Sequence, residues 1–241
     1  MPAPRIHVDQ PLAPGMELAL GATGARHVQV LRLQPGAALT LFDGHGGQWA
    51  GAVTAMSRRE VRVRTLHHEA VERELRTRVT LAVGMPANER MDNLVEKATE
   101  LGVAAIQPLV CERSVLRLSG DRALKKAEHW RGVAIAASEQ SGRTRVPVIE
   151  PVASLPQWLA QNRAGVACLV LSLRDAKPFH RVGAAADMLF LSGPEGGLSP
   201  AEESLALGAG FEGVSLGDRV LRADTAPMAV LSALSLMPST R

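Results

Sequence analysis

The sequence predicts an α/β protein in two parts: a small N-terminal β-barrel, then a parallel sheet sandwiched by helices. Three observations predict it. Short β-branched runs separated by glycine turns fill roughly the first seventy residues. From Thr77 onward, apolar strands alternate with amphipathic helices. The later strands are continuously apolar, as strands buried on both faces are.

Within the first part, ALTLFD (Ala38–Asp43), QWAGAVTAM (Gln48–Met56) and EVRVRTL (Glu60–Leu66) read as strands. The last sets Val61, Val63 and Thr65 against Arg62 and Arg64, the period-two pattern of a half-buried strand. Asp43-Gly44-His45-Gly46-Gly47 is turn chemistry suited to a hairpin. The polar segment His67–Arg76 marks the changeover, giving a first domain over 1–70 and a second over 77–241.

The second part opens with the strand RVTLAVG (Arg78–Gly84). Asn88–Gly102 follows as a helix, with Met91, Leu94, Val95, Ala98 and Leu101 on one face and Gly102 as its stop. Ala104–Val110 is a strand, and Arg122 to Gln140 a helix. Val146–Glu150 is a short strand and Ser154–Asn162 a helix. GVACLVLSL (Gly165–Leu173) and DMLFLSG (Asp187–Gly193) are the buried strands. A helix over Pro200–Gly208, a strand over Glu212–Gly217 and a helix over Thr225–Leu236 complete the chain.

Composition is that of a globular protein, 46% apolar and 21% charged. The net charge of +3 is mild but uneven. Between Arg113 and Arg145 eight basic residues face three acidic ones, a local +5. Such a cluster fits a polyanion or a solvated helix face. Cys111 and Cys168 form no CxxC pair and the histidines no ligand spacing, so reduced thiols and no metal are expected. MPAPRIHVDQ has no apolar signal region, and no run approaches the ~18 apolar residues of a membrane span. A cytoplasmic protein is the expectation. With no Tyr, three Trp and four Phe, extensive base stacking is not expected. Trp130, Met85, Met91 and Met228 read as packing residues.

In an open parallel sheet the ligand sits beyond the carboxyl ends of the strands. Three loops there draw attention: Leu173–Pro178, Gly193–Gly197 and Gly217–Asp224. The glycines of the last two let backbone groups approach a ligand, or simply make strand-to-helix turns. The chain has neither GxxxxGK[ST] nor a GxGxxG after a strand, so phosphate-loop and dinucleotide readings lose their support. Glu195 inside the second loop repels an anion but suits a cationic ligand, or one offering N–H and hydroxyl donors.

GPEGGLSPAEE followed by SLGDRVLRADTAPMAVLSAL resembles the C-terminal signature of the RsmE family, the bacterial 16S rRNA uridine-N3 methyltransferases of the SPOUT superfamily. RMDNLVEKATELGV, IQPLVCERSV and AIAASEQSGRTRVP resemble its middle segments, and RHVQVLRLQPGAALTLFDGHGG its PUA-like RNA-binding barrel. These blocks occur in the family's order over nearly the whole chain. The resemblance implies S-adenosyl-L-methionine, whose sulfonium is cationic, as methyl donor. It implies a C-terminal trefoil knot, 16S rRNA of the small ribosomal subunit (30S) as partner, and a homodimer. Two departures stand out: Ala223-Asp224-Thr225-Ala226 where the family usually has Thr-Glu-Thr-Ala, and Ala87 where a basic residue is common.

Carried over onto matching positions, Gly193, Pro194, Glu195, Gly196 and Gly197 form the first cofactor loop. Leu216, Gly217, Arg219, Val220, Leu221 and Arg222 form the second, and Leu171 and Ser172 feed the third contact. Arg5, Arg26, Arg32, Arg90, Arg113, Arg143 and Arg145 are the candidate RNA contacts. Uridine N3 must lose its proton before it attacks, so the chemistry wants a proton acceptor and donors for charge developing on O2 and O4. Arg222 is the candidate for the charge, and Glu195 or Asp224 for the proton. Structural alternatives are an ion pair of Arg222 with Asp218 or Asp224, and Asp224 as N-cap of the last helix. Competing functions are a 2′-O-ribose RNA methyltransferase of the same superfamily and a non-catalytic RNA-binding assembly factor.

Overall fold

Short runs with one apolar face must pair edge to edge to bury it, and the N-terminal residues do so in a mixed sheet. The computed structural model describes residues 3–161, 163–183 and 185–237. Its contacts divide into two units, one built from the residues up to Glu74 with Ile135–Val146, the other from Leu75–Ala134 with the residues from Pro147.

In the first unit, β1 (Arg5–His7), β2 (Glu17–Ala19), helix α1 (Ala22–Val30), β3 (Ala38–Phe42), β4 (Gln48–Met56) and β5 (Val61–Glu69) follow one another. The strand order is β1-β3-β4-β5-β2, with β1 parallel to β3 and the other pairs antiparallel. Val61, Val63 and Thr65 turn inward as their alternation predicts, joining Ile6, Leu18, Val28, Leu39, Leu41 and Val53 in the core. The expected hairpin joins β3 to β4, and Asp43 steadies its turn by accepting the His45 N–H at 3.0 Å. Strand β5 runs on to Glu69, three residues into the segment read as linker.

The second unit alternates as expected. Its elements are β6 (Arg78–Gly84), α2 (Asn88–Glu100), β7 (Ala105–Val110), α3 (Gly120–Ser141), β8 (Val148–Ile149), β9 (Ala153–Ser154), α4 (Leu155–Leu159), β10 (Ala167–Leu171), β11 (Lys177–Pro178), a 3-10 turn (Phe179–Arg181), β12 (Asp187–Ser192), α5 (Pro200–Gly208), β13 (Glu212–Ser215) and α6 (Thr225–Leu236). All pairings are parallel, in the order β11-β13-β10-β12-β6-β7-β8, with β9 also on β7. Helix α4 ends at Leu159, earlier than expected; Asn162 lies outside the described residues.

The central strands carry the core. Val79, Leu81, Val83, Ile106, Leu109, Phe190 and Leu191 are buried, and the burial of β12 on both faces is why it reads as a continuous apolar run. Met91, Leu94, Val95 and Ala98 bury one face of α2. Trp130 is fully enclosed, and its indole N–H finds Asp92 at 2.9 Å.

The last turns of α3 belong to the first unit and bring Glu139 into it. Its carboxylate accepts the His7 N–H at 2.9 Å and lies 3.6 Å from His27. Burial still dominates and pushes the Glu139 carboxyl above its ordinary value of 4.5, against the lowering by the His7 N–H, His27 and Arg5. A carboxyl with a raised folded pKa favours folding below the unfolded value, and that contribution is lost as pH rises through the folded one. Glu139→Gln should therefore gain stability relative to the parent between about pH 4 and about pH 7.5. Urea unfolding at both values checks this; a difference that stays flat or shrinks contradicts it.

Candidate functional site

Strands β10, β12 and β13 end side by side, and their carboxyl ends open into a cavity of about 330 Å³. Leu171, Ser192 and Val214 form strand-end contributions to its lining. Gly193–Gly197 supply one wall; Leu216, Arg219–Ala223 and Ala226 supply another. Of the positions expected to hold a cofactor, all line this cavity except Gly217, whose φ of 112° turns the chain after β13 instead.

The wall after β12 is fixed by close backbone approach. A Cβ on Gly193 would lie 2.5 Å from the Leu198 nitrogen, and one on Gly84 2.5 Å from Pro194 Cδ. The loop then runs into α5 through a capping box: Ser199 accepts the Glu202 N–H at 3.3 Å, and Glu202 accepts the Ser199 N–H at 2.9 Å. The same Glu202 accepts the Glu112 N–H at 2.7 Å, tying β7's exit to α5. Nearby, burial first and Glu202 second push the Cys111 thiol up to about 12, so it serves as a packing group.

Glu195 does not stand free in the cavity. Its Oε1 accepts the Ala87 N–H at 2.9 Å and lies 3.7 Å from Arg90. Ala87 is the N-cap of α2 and has no side chain to cap with, so Glu195 places negative charge at that helix start from a distant loop. Just after β10, the Ser172 hydroxyl donates to Glu203 and accepts the Arg174 N–H at 2.9 Å.

Arg222 is exposed and makes no ion pair among the described residues, so the alternative of pairing with Asp218 or Asp224 is not seen. Its carbonyl accepts the N–H groups of Thr225 at 3.0 Å and Ala226 at 3.1 Å. Asp224 holds the N-cap position of α6 yet caps nothing. The reason is local: a cap accepts from the second or third helical N–H, Ala226 already donates to Arg222, and Pro227 has no N–H. Asp224 Oδ1 is thereby buried without a hydrogen-bond partner.

The arginines expected on RNA are divided. Arg26 and Arg32 are exposed. Arg145 is half-exposed and pairs with Glu72 at 2.9 Å. Arg143 is buried and held by Glu74, while Arg5 donates to Gln48 and to the Arg143 carbonyl and stacks over Phe42. Arg90 faces Glu195, and Arg113 donates to the carbonyls of Gly196 at 2.9 Å and Leu198 at 3.4 Å.

Ser192 is a site residue that no motif in the sequence marks. It lines the cavity, it is buried, and its hydroxyl has no partner. An unpaired buried hydroxyl costs about 1–3 kcal/mol, and such atoms mark sites where another group completes the bonding. Its only sequence signal was a polar residue ending an otherwise apolar strand. Glycine backbone, apolar walls and the unspent Ser192 hydroxyl suit an elongated ligand with an aromatic part and several hydrogen-bonding groups, such as S-adenosylmethionine. Among the described residues no group of His, Cys, Asp or Glu is arranged to hold a metal ion, and no helix is long and apolar enough to cross a membrane.

Comparison with known proteins agrees with this geometry. Residues 73–235 match the family model described as RNA methyltransferase domain, and residues 22–66 that of the RNA methyltransferase PUA domain. A protein of Synechocystis named ribosomal RNA small subunit methyltransferase E is 33% identical over 87% of this chain and 69% of its own length. The crystal structure of the Neisseria gonorrhoeae protein of that name, bound to S-adenosyl methionine, is 33% identical with a TM-score of 0.90, covering 96% of each chain. A putative methyltransferase from Legionella pneumophila, solved in complex with that cofactor, is also 33% identical with a TM-score of 0.92, covering 97% of each chain.

Removing the orphaned hydroxyl should relieve its desolvation cost. Ser192→Ala is expected to stabilise the ligand-free chain by about 1 kcal/mol in urea unfolding. A loss of similar size would show that the hydroxyl is already satisfied.

Proposed function

This chain belongs to the RsmE family of ribosomal RNA small subunit methyltransferases, and from that premise we propose that it methylates N3 of a uridine in 16S rRNA, using S-adenosyl-L-methionine. The observation that carries the reading is the cavity at the ends of β10, β12 and β13, walled by Gly193–Gly197 and Leu216–Ala223. Two relatives of 33% identity that share the fold carry that cofactor in their solved structures, which supports it.

When bound, the cofactor supplies an electrophilic methyl group that needs no activation. The chain's own residues must hold it in line, exclude water and handle one proton. Gly193, Pro194, Gly196, Gly197, Leu216, Leu221 and Leu171 would form the walls of its seat, with Ser192 offering a hydroxyl within them. Arg222, exposed at the cavity with its backbone anchored to the start of α6, is the donor for charge developing on the uracil oxygens. Of the two carboxylates considered for the proton, Glu195 is engaged at α2 while Asp224 retains an unpartnered oxygen. The reading therefore gives Asp224 the N3 proton and Glu195 a structural task.

The same reading makes residues 1–70 a PUA-like RNA-binding barrel and residues 77–241 a trefoil-knotted SPOUT domain. It makes the working form a cytoplasmic homodimer acting on the small ribosomal subunit. Arg26, Arg32 and Arg145 are the arginines best exposed for phosphate.

Nucleoside mass spectrometry of small-subunit rRNA from a strain lacking the gene should show loss of 3-methyluridine, restored by the intact gene. Persistence of that nucleoside, or loss of a 2′-O-methyl nucleoside instead, refutes the proposal. In vitro, Arg222→Ala and Asp224→Asn should each lower kcat by about 10²-fold. Cofactor affinity should change far less in Asp224→Asn, and near-parental turnover of that variant would remove Asp224 from the chemistry.

A further inference from the structure

We propose that Arg113 is a positioning residue of the cofactor loop, holding Gly193–Leu198 in the shape that forms the cavity wall. The inference rests on the cofactor reading of that cavity. It gives Arg113 a task unlike the phosphate contact that its place in a basic segment suggests.

The geometry is specific. One guanidinium nitrogen of Arg113 donates to two carbonyls of the same loop, Gly196 at 2.9 Å and Leu198 at 3.4 Å. The carbon stem lies against the loop too, since a Cβ on Gly196 would meet Arg113 Cβ at 3.1 Å. Those carbonyls flank Gly197, whose φ of 69° permits the turn and whose N–H closes on the Pro194 carbonyl at 2.8 Å. A loop with this many glycines has much conformational freedom to lose, so a charged donor that fixes two of its carbonyls changes how far it is pre-formed.

Arg113 is itself fixed. It sits in a tight turn after β7 in which the Ser114 N–H meets the Cys111 carbonyl at 3.1 Å and the Ser114 hydroxyl accepts the Cys111 N–H at 3.0 Å. The preceding Glu112 N–H is held by buried Glu202 at the start of α5. The brace thus ties the turn after β7 to the loop's exit, and it commits one guanidinium nitrogen, Nη1, to the loop. A phosphate contact through that nitrogen would have to compete with two charge-assisted hydrogen bonds.

The two roles separate in the measurements. Calorimetry with S-adenosylmethionine on the full chain should show Arg113→Ala binding about tenfold more weakly, the size expected for losing a hydrogen bond to a charged donor. Arg113→Lys, which keeps the charge on a shorter side chain with a different donor geometry, should recover part of the loss. Gly196→Ala, which crowds the same contact from the loop side, should weaken binding as well. Affinity for in vitro transcribed small-subunit rRNA and its salt dependence should match the parent in Arg113→Ala. Parental cofactor affinity in Arg113→Ala, with weaker RNA binding and a shallower salt slope, would overturn the inference and make Arg113 a phosphate contact. If Arg113→Ala proves unstable, Arg113→Lys and Gly196→Ala decide: both binding like the parent overturns the inference. A parent chain that does not bind S-adenosylmethionine overturns the cofactor reading, and this inference falls with it.

Discussion

A Cβ placed on Gly193 would stand 2.5 Å from the Leu198 nitrogen, and one placed on Gly84 would stand 2.5 Å from Pro194 Cδ. The chain leaving β12 therefore passes within backbone contact of its own return and of the neighbouring strand β6, with no room for any side chain at either point. That constraint places the Gly193–Gly197 wall beside the ends of β10 and β13, where Leu171 and Val214 complete the cavity. The parallel sheet supplies the location, because all three strands end on one side. The close approach supplies the shape. Glycine is needed at these positions for space, whatever ligand the wall receives.

Acidic residues around this wall are allotted to distinct tasks by what each can reach. Glu202 is enclosed and bridges the Ser199 and Glu112 N–H groups, so it locks the loop's exit. Glu203 takes the Ser172 hydroxyl, and Glu195 takes the Ala87 N–H and faces Arg90. Each of these carboxylates organises backbone or a neighbouring side chain. Asp224 alone among them keeps a buried oxygen without a hydrogen bond, and it does so because Pro227 and Arg222 remove the donors a cap would use. An unsatisfied buried oxygen distinguishes Asp224 from Glu195, which lines the cavity but whose carboxylate is occupied.

Much of this architecture was legible in sequence, and the failures have physical causes. Strands β4 and β6 and helices α5 and α6 begin and end where periodicity and turn residues put them. Strands β1 and β2 were missed because each is three residues with one buried side chain, too short to show alternation. Helix α1 was missed because Gly24 interrupts it, no side chain caps it, and only Ala25 and Val28 are buried. Among site residues, the cavity walls were recognisable from a family resemblance. The contacts Arg113–Gly196 and Glu195–Ala87 were not, since they join residues far apart in sequence. The uncapped state of Asp224 was readable in principle: a proline three residues on removes the donor that a cap requires.

The basic segment between Arg113 and Arg145 shows why a charge count overstates a polyanion footprint. Arg113 donates from one nitrogen to loop carbonyls, Arg117 donates from one nitrogen to the Glu112 carbonyl, and Arg143 is buried against Glu74. Lys126 faces Asp92 at 4.0 Å, Arg131 faces Glu128 at 3.9 Å and Arg145 faces Glu72 at 2.9 Å. These last pairs differ in kind from the buried one. An exposed pair contributes about 0–1 kcal/mol, so a phosphate can replace the carboxylate at little cost. Breaking the Arg143–Glu74 pair would strand a buried charge, at about 3–5 kcal/mol. Positive charge open to RNA is thus set by exchangeability more than by formal count. By that measure Arg145 qualifies and its neighbour two residues earlier does not, although the sequence treats them alike.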